Sequence, residues 1–305
     1  MKNISFTIFL ILNLLTTCQD ASAPPPTPVI PEVITPRFTD RQDRGDVENT
    51  ELTEASGLAV SHSNPDLIWA HNDSGDEARL FLLGKDGGDW GTFRLEGTTN
   101  RDWEDIALVK PAGADTAYIY LADIGNNQNN YDTLYIYRFP EPDLSQLSAP
   151  AQAVVPANRI ERFAFRYPGQ IYDAETLLVV GNSIYILTKT LLSTLIYYAP
   201  LPPTTGTVVT LQEVSTLALT FVVGGDVWES TGDILLKTYD RVYLWEPGSV
   251  SSSPGMLYEL PAIRLPYTPE PQGESIAWEP DGSGYYTLSE KPGNEPPRLF
   301  FYQRN

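Results

Sequence analysis

From about residue 50 onward, apolar and aromatic residues come in short runs broken by Gly, Asn, Asp and Pro. The runs are rich in Val, Ile, Leu, Tyr and Phe, and no convincing amphipathic helix interrupts them. They recur in a fixed order. One unit reads EASGLAV (54–60), DLIWAHND (66–73), ARLFLL (78–83) and GTFRLE (91–96). The second reads WEDIALV (103–109), DTAYIYLAD (115–123), TLYIYRF (133–139) and RIERFAFRY (159–167). The third reads AETLLVV (174–180), NSIYILTK (182–189), TLIYYA (194–199) and LQEVSTLAL (211–219). The fourth reads GGDVW (224–228), DILLKT (233–238), RVYLWE (241–246) and MLYEL (256–260). The fifth reads GESIAW (273–278), GYYTLSE (284–290) and RLFFY (298–302), where the chain stops.

A repeat of roughly 50 residues with four strands per unit is the signature of a β-propeller. The expected fold is therefore all-β, with five four-stranded blades over residues 38–305. Six blades is the alternative, because the long 140–172 connection has room for irregular strands. The fifth unit lacks its fourth strand. The segment FTDRQDRGDVENT (38–50) precedes the first unit and is placed to supply it. Closing the last blade with an N-terminal strand would leave no open sheet edge between the chain ends.

Let the strands of a blade run a to d from the channel outward. Neighbouring strands are antiparallel, so the start of strand a and the end of strand b share one face. That face collects Glu54, Asp102, Glu104, Asp173, Glu175 and Glu274 from the a strands. It collects Asp73, Asp123, Lys189, Lys237 and Glu290 from the b strands. In the fourth unit the aligned place holds Gly224 and Gly225, with Asp226 one step on. Such an acid can simply accept backbone amides or an indole N–H of the next blade. Several carboxylates in one mouth nevertheless repel one another, and need a cation, lysines or protons to offset them. Glu104, Glu175, Lys189, Lys237, Glu274 and Glu290, with Trp103 beside Glu104, are the candidate ligand-binding residues. Two loops on this face, HNDSGDE (71–77) and DIGNNQNN (123–130), make Asp73, Asp76, Asp123 and Asn126 candidate ligands for calcium. Neither loop has the EF-hand spacing, and Asn and Asp are also ordinary turn residues. Ser56 has no evident histidine partner, although His71 belongs to the same face.

Charge narrows the partners. The chain carries 20 basic and 39 acidic residues, a formal net charge of −19. That disfavours nucleic acid and anionic membrane surfaces and favours cationic ligands, or plain solubility. The single cysteine, Cys18, excludes an intrachain disulfide, and two histidines exclude a three-histidine zinc site.

The N-terminus has a different pattern. A lysine is followed by an apolar stretch at 4–15, the length of a signal peptide and too short for a membrane span. LTTC at 15–18 looks like a bacterial lipobox, with 1–17 the signal and Cys18 the lipidated residue. Cleavage near Ala21–Ala23 is the alternative. Six prolines between 23 and 36 read as an extended spacer, so that 18–37 would tether the domain. The expected location is the bacterial cell envelope, lipid-anchored, or else soluble and periplasmic or secreted.

The motifs EASGLAV, HNDSGD, RDWEDIA, LADIGNN, YDAETLL and QGESIAW resemble a group of uncharacterised secreted bacterial β-propeller proteins. More loosely, they are similar to the esterase-like phytase propeller family, in which SGL and ExIA elements open successive blades. The resemblance covers roughly residues 50–303. It implies the propeller fold and points toward an ester or phosphoester substrate. The fourth unit departs from it at Gly224–Gly225. Two functions follow as expectations. One is a module binding a cation, small ligand or protein partner through the acidic mouth. The other is a metal-assisted esterase or phosphoesterase, in which carboxylates hold the metal and lysines bind the anion.

Overall fold

The computed structural model describes residues 32–34, 37–145, 148–202, 204–246 and 253–305. The segment expected to be a signal, Cys18 and most of the proline-rich stretch lie outside them. Two strands, β1 (Glu32–Ile34) and β2 (Gln42–Asp46), precede the first blade. Blade one is β3 (Ala55–Val60), β4 (Leu67–Asn72), β5 (Arg79–Gly84) and β6 (Asp89–Leu95). The chain then makes β7 (Trp103–Val109), β8 (Tyr118–Asp123), β9 (Leu134–Pro140), β10 (Ala151–Val155) and β11 (Glu161–Arg166). Next come β12 (Ala174–Val180), β13 (Ser183–Thr188), β14 (Thr194–Pro200), β15 (Val208–Thr210) and β16 (Gln212–Leu217). Then follow β17 (Val222–Trp228), β18 (Asp233–Thr238), β19 (Val242–Trp245) and β20 (Ala262–Leu265). The last are β21 (Ser275–Trp278), β22 (Gly284–Leu288) and β23 (Arg298–Gln303).

These strands form five sheets, each with four consecutive antiparallel partners. Blade two is β7-β8-β9-β11, blade three β12-β13-β14-β16, blade four β17-β18-β19-β20 and blade five β21-β22-β23-β2. The N-terminal strand does close the last blade. Gln42 pairs with Phe301 and Asp46 with Arg298. Arg298 bonds Asp43 and Asp46 at 2.8 and 2.6 Å, and Phe38 bridges to Arg304 beyond the strand. Five apolar clusters fill the five blade interfaces, for example Trp69 and Phe93 against Trp103 and Phe139 between blades one and two. Inner strands are buried along nearly their whole length because they face neighbours on both sides.

Two features differ from the sequence expectation. MLYEL is not a strand. Pro254 starts a 3-10 helix over Pro254–Glu259, and the fourth strand of blade four is the next run, AIRL at 262–265. Proline at the first turn and another at 261 disfavour a ladder there. The long 140–172 connection holds no sixth blade. Its β10 leaves blade two and pairs in parallel with β6 of blade one before β11 returns. The device recurs. β15 pairs in parallel with β11 before β16, and β1 with β20 before β2. The 3-10 helix takes the same role before β20, packing on β16 of blade three, where the Gly255 backbone abuts Val214. Each strap crosses from one blade to the outer edge of the previous one and covers a ladder that would otherwise be open. Glu32–Ile34, read from sequence as tether, is one of these straps.

Candidate functional site

The start of the inner strand carries the same irregularity in four of the five blades. Register slips by one residue between Ala55 and Gly57, Trp103 and Asp105, Ala174 and Thr176, and Val222 and Gly224. The extra residue in each bulge is Ser56, Glu104, Glu175 or Val223. A bulge re-aims a side chain that regular alternation would send elsewhere. Glu274 stands at the same height, just before Ser275 pairs with Leu288. The ring at the mouth is therefore Ser56, Glu104, Glu175, Val223 and Glu274. Blade four contributes Val223, not Gly224 or Gly225, and Asp226 lies deeper, paired with Leu235. Blade one contributes Ser56, while Glu54 is exposed above it.

Acids from four blades meet here. Glu104 feels Glu175, Asp73, Asp102 and Glu274, and Glu290 feels Glu274, Asp73 and Glu54. Glu104, Glu175 and Glu274 are buried. Burial pushes Glu104 well above the usual carboxylate range, and neighbouring Glu175 adds to it. Burial likewise raises Glu175, Glu274, Asp102 and Asp173. It raises Asp73 and Glu290 to about 7. Ligand atoms of Asp73, Asp102 and Glu104 lie within 4.8 Å of one another, as do those of Glu104, Asp173 and Glu175. Glu104 belongs to both sets. Glu104 Oε1 and Glu175 Oε2 are buried and have no hydrogen-bond partner among the described residues. Space for this arrangement depends on Gly125, where a Cβ would stand 2.1 Å from Glu104 Oε1 and 2.6 Å from Asp102 Cγ.

The lysines are already engaged. Lys189 pairs with Glu175. Burial alone would lower its pKa, but the Glu175 carboxylate outweighs that and keeps it charged. Glu175 stays high all the same, because burial and Glu274 outweigh one lysine. Lys237 is fully buried and donates to the Gly273 carbonyl, with its ammonium 4.8 Å from the Tyr267 ring. Burial pulls it down to about 8. Tyr239, at the end of the second strand of blade four, donates to Glu274 Oε1 at 2.8 Å.

Not all candidates converge. Trp103 is buried in the interface of blades one and two, its indole N–H bonded to Thr99 O at 3.2 Å, and its ring is part of the inter-blade core. Asp76 is held by Arg79 at 2.8 Å and Asn72 at 2.7 Å. Asn126 spends its amide on the Tyr131 backbone, at 2.7 and 3.1 Å. Asp123 accepts from the Asp102 amide and pairs with Arg101, behind the mouth. Asp76 and Asn126 thus spend their polar groups locally, Asp123 keeps a buried Oδ2 without a partner among the described residues, and only Asp73 of the loop candidates joins a ligand set. Asp102 and Asp173 take the remaining places. Their signal was legible, since each immediately precedes an inner strand. Ser56 donates to the Glu104 carbonyl at 2.8 Å, and His71 Nδ1 bonds Asn72 O at 2.9 Å, so the two form no pair. Burial pulls His71 down to about 4, and it is neutral.

Comparison with known proteins adds fold relatives only. No protein-family model matches the chain, and no curated protein matches it. Among solved structures, similar chains include the Myxococcus xanthus glutaminyl cyclase, 11% identical, covering 88% of this chain and 96% of that one at a TM-score of 0.46. They include the Neurospora crassa Pan2 WD40 domain, 9% identical, with coverages of 90% and 98% and a TM-score of 0.41. A chain of the nidogen/laminin complex is 12% identical, with coverages of 78% and 73% and a TM-score of 0.44. At these identities no function transfers.

Proposed function

We propose that this propeller is a binding module that takes positive charge in its acidic mouth, in the first instance a hard divalent cation such as calcium. One observation carries the reading. Glu104 and Glu175 are buried, each has an oxygen without a partner, and Asp73, Asp102 and Asp173 bring further oxygens within ligand range. A buried carboxylate with an unsatisfied oxygen is costly, and a cation shared by several such oxygens offsets that cost. The donor set is all oxygen, which suits calcium or magnesium better than zinc or copper. The metal-assisted hydrolase expected from the sequence would use lysines to bind an anionic phosphoester. Lys189 and Lys237 are committed to Glu175 and Gly273, so binding is the better supported reading.

The test is a calcium titration of the folded domain followed by melting temperature and calorimetry. Calcium is expected to raise the melting temperature of the wild type and not that of Glu104→Gln. A wild-type melting temperature indifferent to millimolar calcium and magnesium sinks the reading. Export and anchoring through Cys18 would set this mouth outside the cytoplasm, at the cell envelope. Cys18→Ser should then release the protein from the membrane fraction, and unchanged fractionation overturns the anchor.

A further inference from the structure

The face that bears the acidic mouth also bears an apolar rim. Leu191 and Leu192 are 72% and 87% exposed. They are not on a loose tip. Thr190 Oγ1 accepts the Ser193 amide at 3.2 Å across their turn, and the Thr190 carbonyl accepts the Phe221 amide at 3.1 Å. Phe221 is 37% exposed and holds φ at 54°, in the left-handed region that a bulky residue rarely adopts. Such conformations persist where the surroundings impose them, and they cluster at ligand clamps.

This rim runs into the mouth. The Phe221 ring lies 6.2 Å from Tyr239, which donates to Glu274, and the Lys189 ammonium stands 5.5 Å from the same tyrosine ring. Other large exposed apolar side chains, Trp90, Val154 and Val208, stand singly on the outer strands β6, β10 and β15. Scattered singly they need no explanation, whereas a pair of leucines whose turn is hydrogen-bonded to Phe221, beside a cluster of carboxylates, does.

Charge decides what covers the rim. Above the buried acids, Glu54, Asp73 and Glu290 remain exposed or half-buried, so the approach to the mouth is negative. An acidic segment or an anionic lipid surface is repelled there. A segment with a lysine or arginine next to an apolar side chain meets complementary chemistry on both halves. We propose that this face docks a protein partner through such a segment, its apolar side chain on Leu191, Leu192 and Phe221 and its basic group over the outer carboxylates. The proposal rests on the reading of the mouth as a seat for positive charge.

A phage-displayed random peptide library, selected on the folded protein, tests it. Enriched peptides should pair Lys or Arg with Leu, Ile or Phe. As synthetic peptides, they should lose about tenfold in affinity to Leu191→Ser/Leu192→Ser, and weaken with added salt. No enrichment, enrichment of acidic peptides, or equal binding to the double variant overturns the proposal. So does a rim that instead binds vesicles of zwitterionic phosphatidylcholine in a leucine-dependent way. Calcium titration of the same double variant keeps the two readings apart. A retained thermal shift with no peptide binding leaves the mouth standing and removes only the docking surface. Peptide binding without any calcium shift in the wild type removes only the metal.

Discussion

Glu104 and Asp105 are adjacent in sequence, both buried acids, and they do opposite things. Asp105 Oδ1 accepts the amide of Ile106 at 2.9 Å and Oδ2 that of Leu177, on the next blade, at 2.8 Å. Asp226 repeats the arrangement two blades on, accepting Val227 and Trp278 amides at 2.7 Å each. These two acids tie neighbouring inner strands together. Glu104, turned by its bulge, receives a shared hydroxyl from Ser56 on Oε2 at 3.3 Å and nothing among the described residues on Oε1. Glu175 has one oxygen on Lys189 and the other without a partner among the described residues. Acids that are saturated by backbone amides belong to the architecture. Acids left short of donors, in a group and near a mouth, belong to binding. Burial alone does not separate the two classes, because both are buried and both are pushed upward in pKa by it. Hydrogen-bond completeness taken together with grouping does, since Asp123 Oδ2 and Glu270 Oε2 also lack a partner among the described residues but join neither ligand set.

The sharpest way to break this contrast is to remove one acid of each kind. Asp105→Ala leaves the Ile106 and Leu177 amides without acceptors, and should cost about 3 kcal/mol in denaturant unfolding, given ~1–3 kcal/mol per orphaned buried group. If it costs nothing, Asp105 is no tie. Gly125→Ala should come next, at about 1–2 kcal/mol with loss of the calcium shift, because its Cβ competes with Glu104 for space. Retained calcium binding in that variant would separate Glu104 from the site. Glu104→Gln has the opposite sign to Asp105→Ala. It relieves repulsion among mouth carboxylates, and should leave the metal-free protein equal or about 0.5–1 kcal/mol more stable at pH 8, while losing the cation.

The last expected effect is a slope. Asp73 and Glu290 titrate at about 7 in the folded state, above ordinary Asp and Glu values. A raised carboxylate pKa means that the folded state holds more protons than the unfolded one between about pH 4 and 7. Metal-free stability should therefore fall as pH rises through that window. Calcium should reverse the trend toward pH 8, since deprotonation frees its ligands. Thermal melts from pH 5 to 8, with and without calcium, measure both slopes. A metal-free melting temperature that climbs across the window contradicts the placement of these acids in one mouth.

Much of this site was open to inspection in the chain alone. Three acids before three inner strands marked Glu104, Glu175 and Glu274, and antiparallel pairing put Lys189, Lys237 and Glu290 on the same face. The loops divide because Asp, Asn and Gly at short spacing serve a turn as well as a calcium ion: Asp76 is held by Arg79 and Asn126 by its own turn, whereas Asp73 reaches a ligand set. Tyr239 went unread because a tyrosine after a strand carries no charge signal, although it is the donor that holds Glu274.

The residues by themselves pointed to an all-β repeat of five units, with six as the alternative, to the order of nearly all of their strands, to the closing strand before the first blade and to the face on which the acids gather. Those follow from alternation, turn residues and repeat length, which are local. Only the tertiary structure decided which acid is satisfied, which group holds each lysine, and that a bulge puts Val223 rather than glycine at the rim in blade four. It also decided that the outer edges are strapped by crossing segments. These outcomes turn on atoms from other blades, as in the Leu177 amide that reaches Asp105 across 72 residues of chain. A carboxylate carries the same charge wherever it stands, and its role depends on whether a neighbouring blade brings it enough donors.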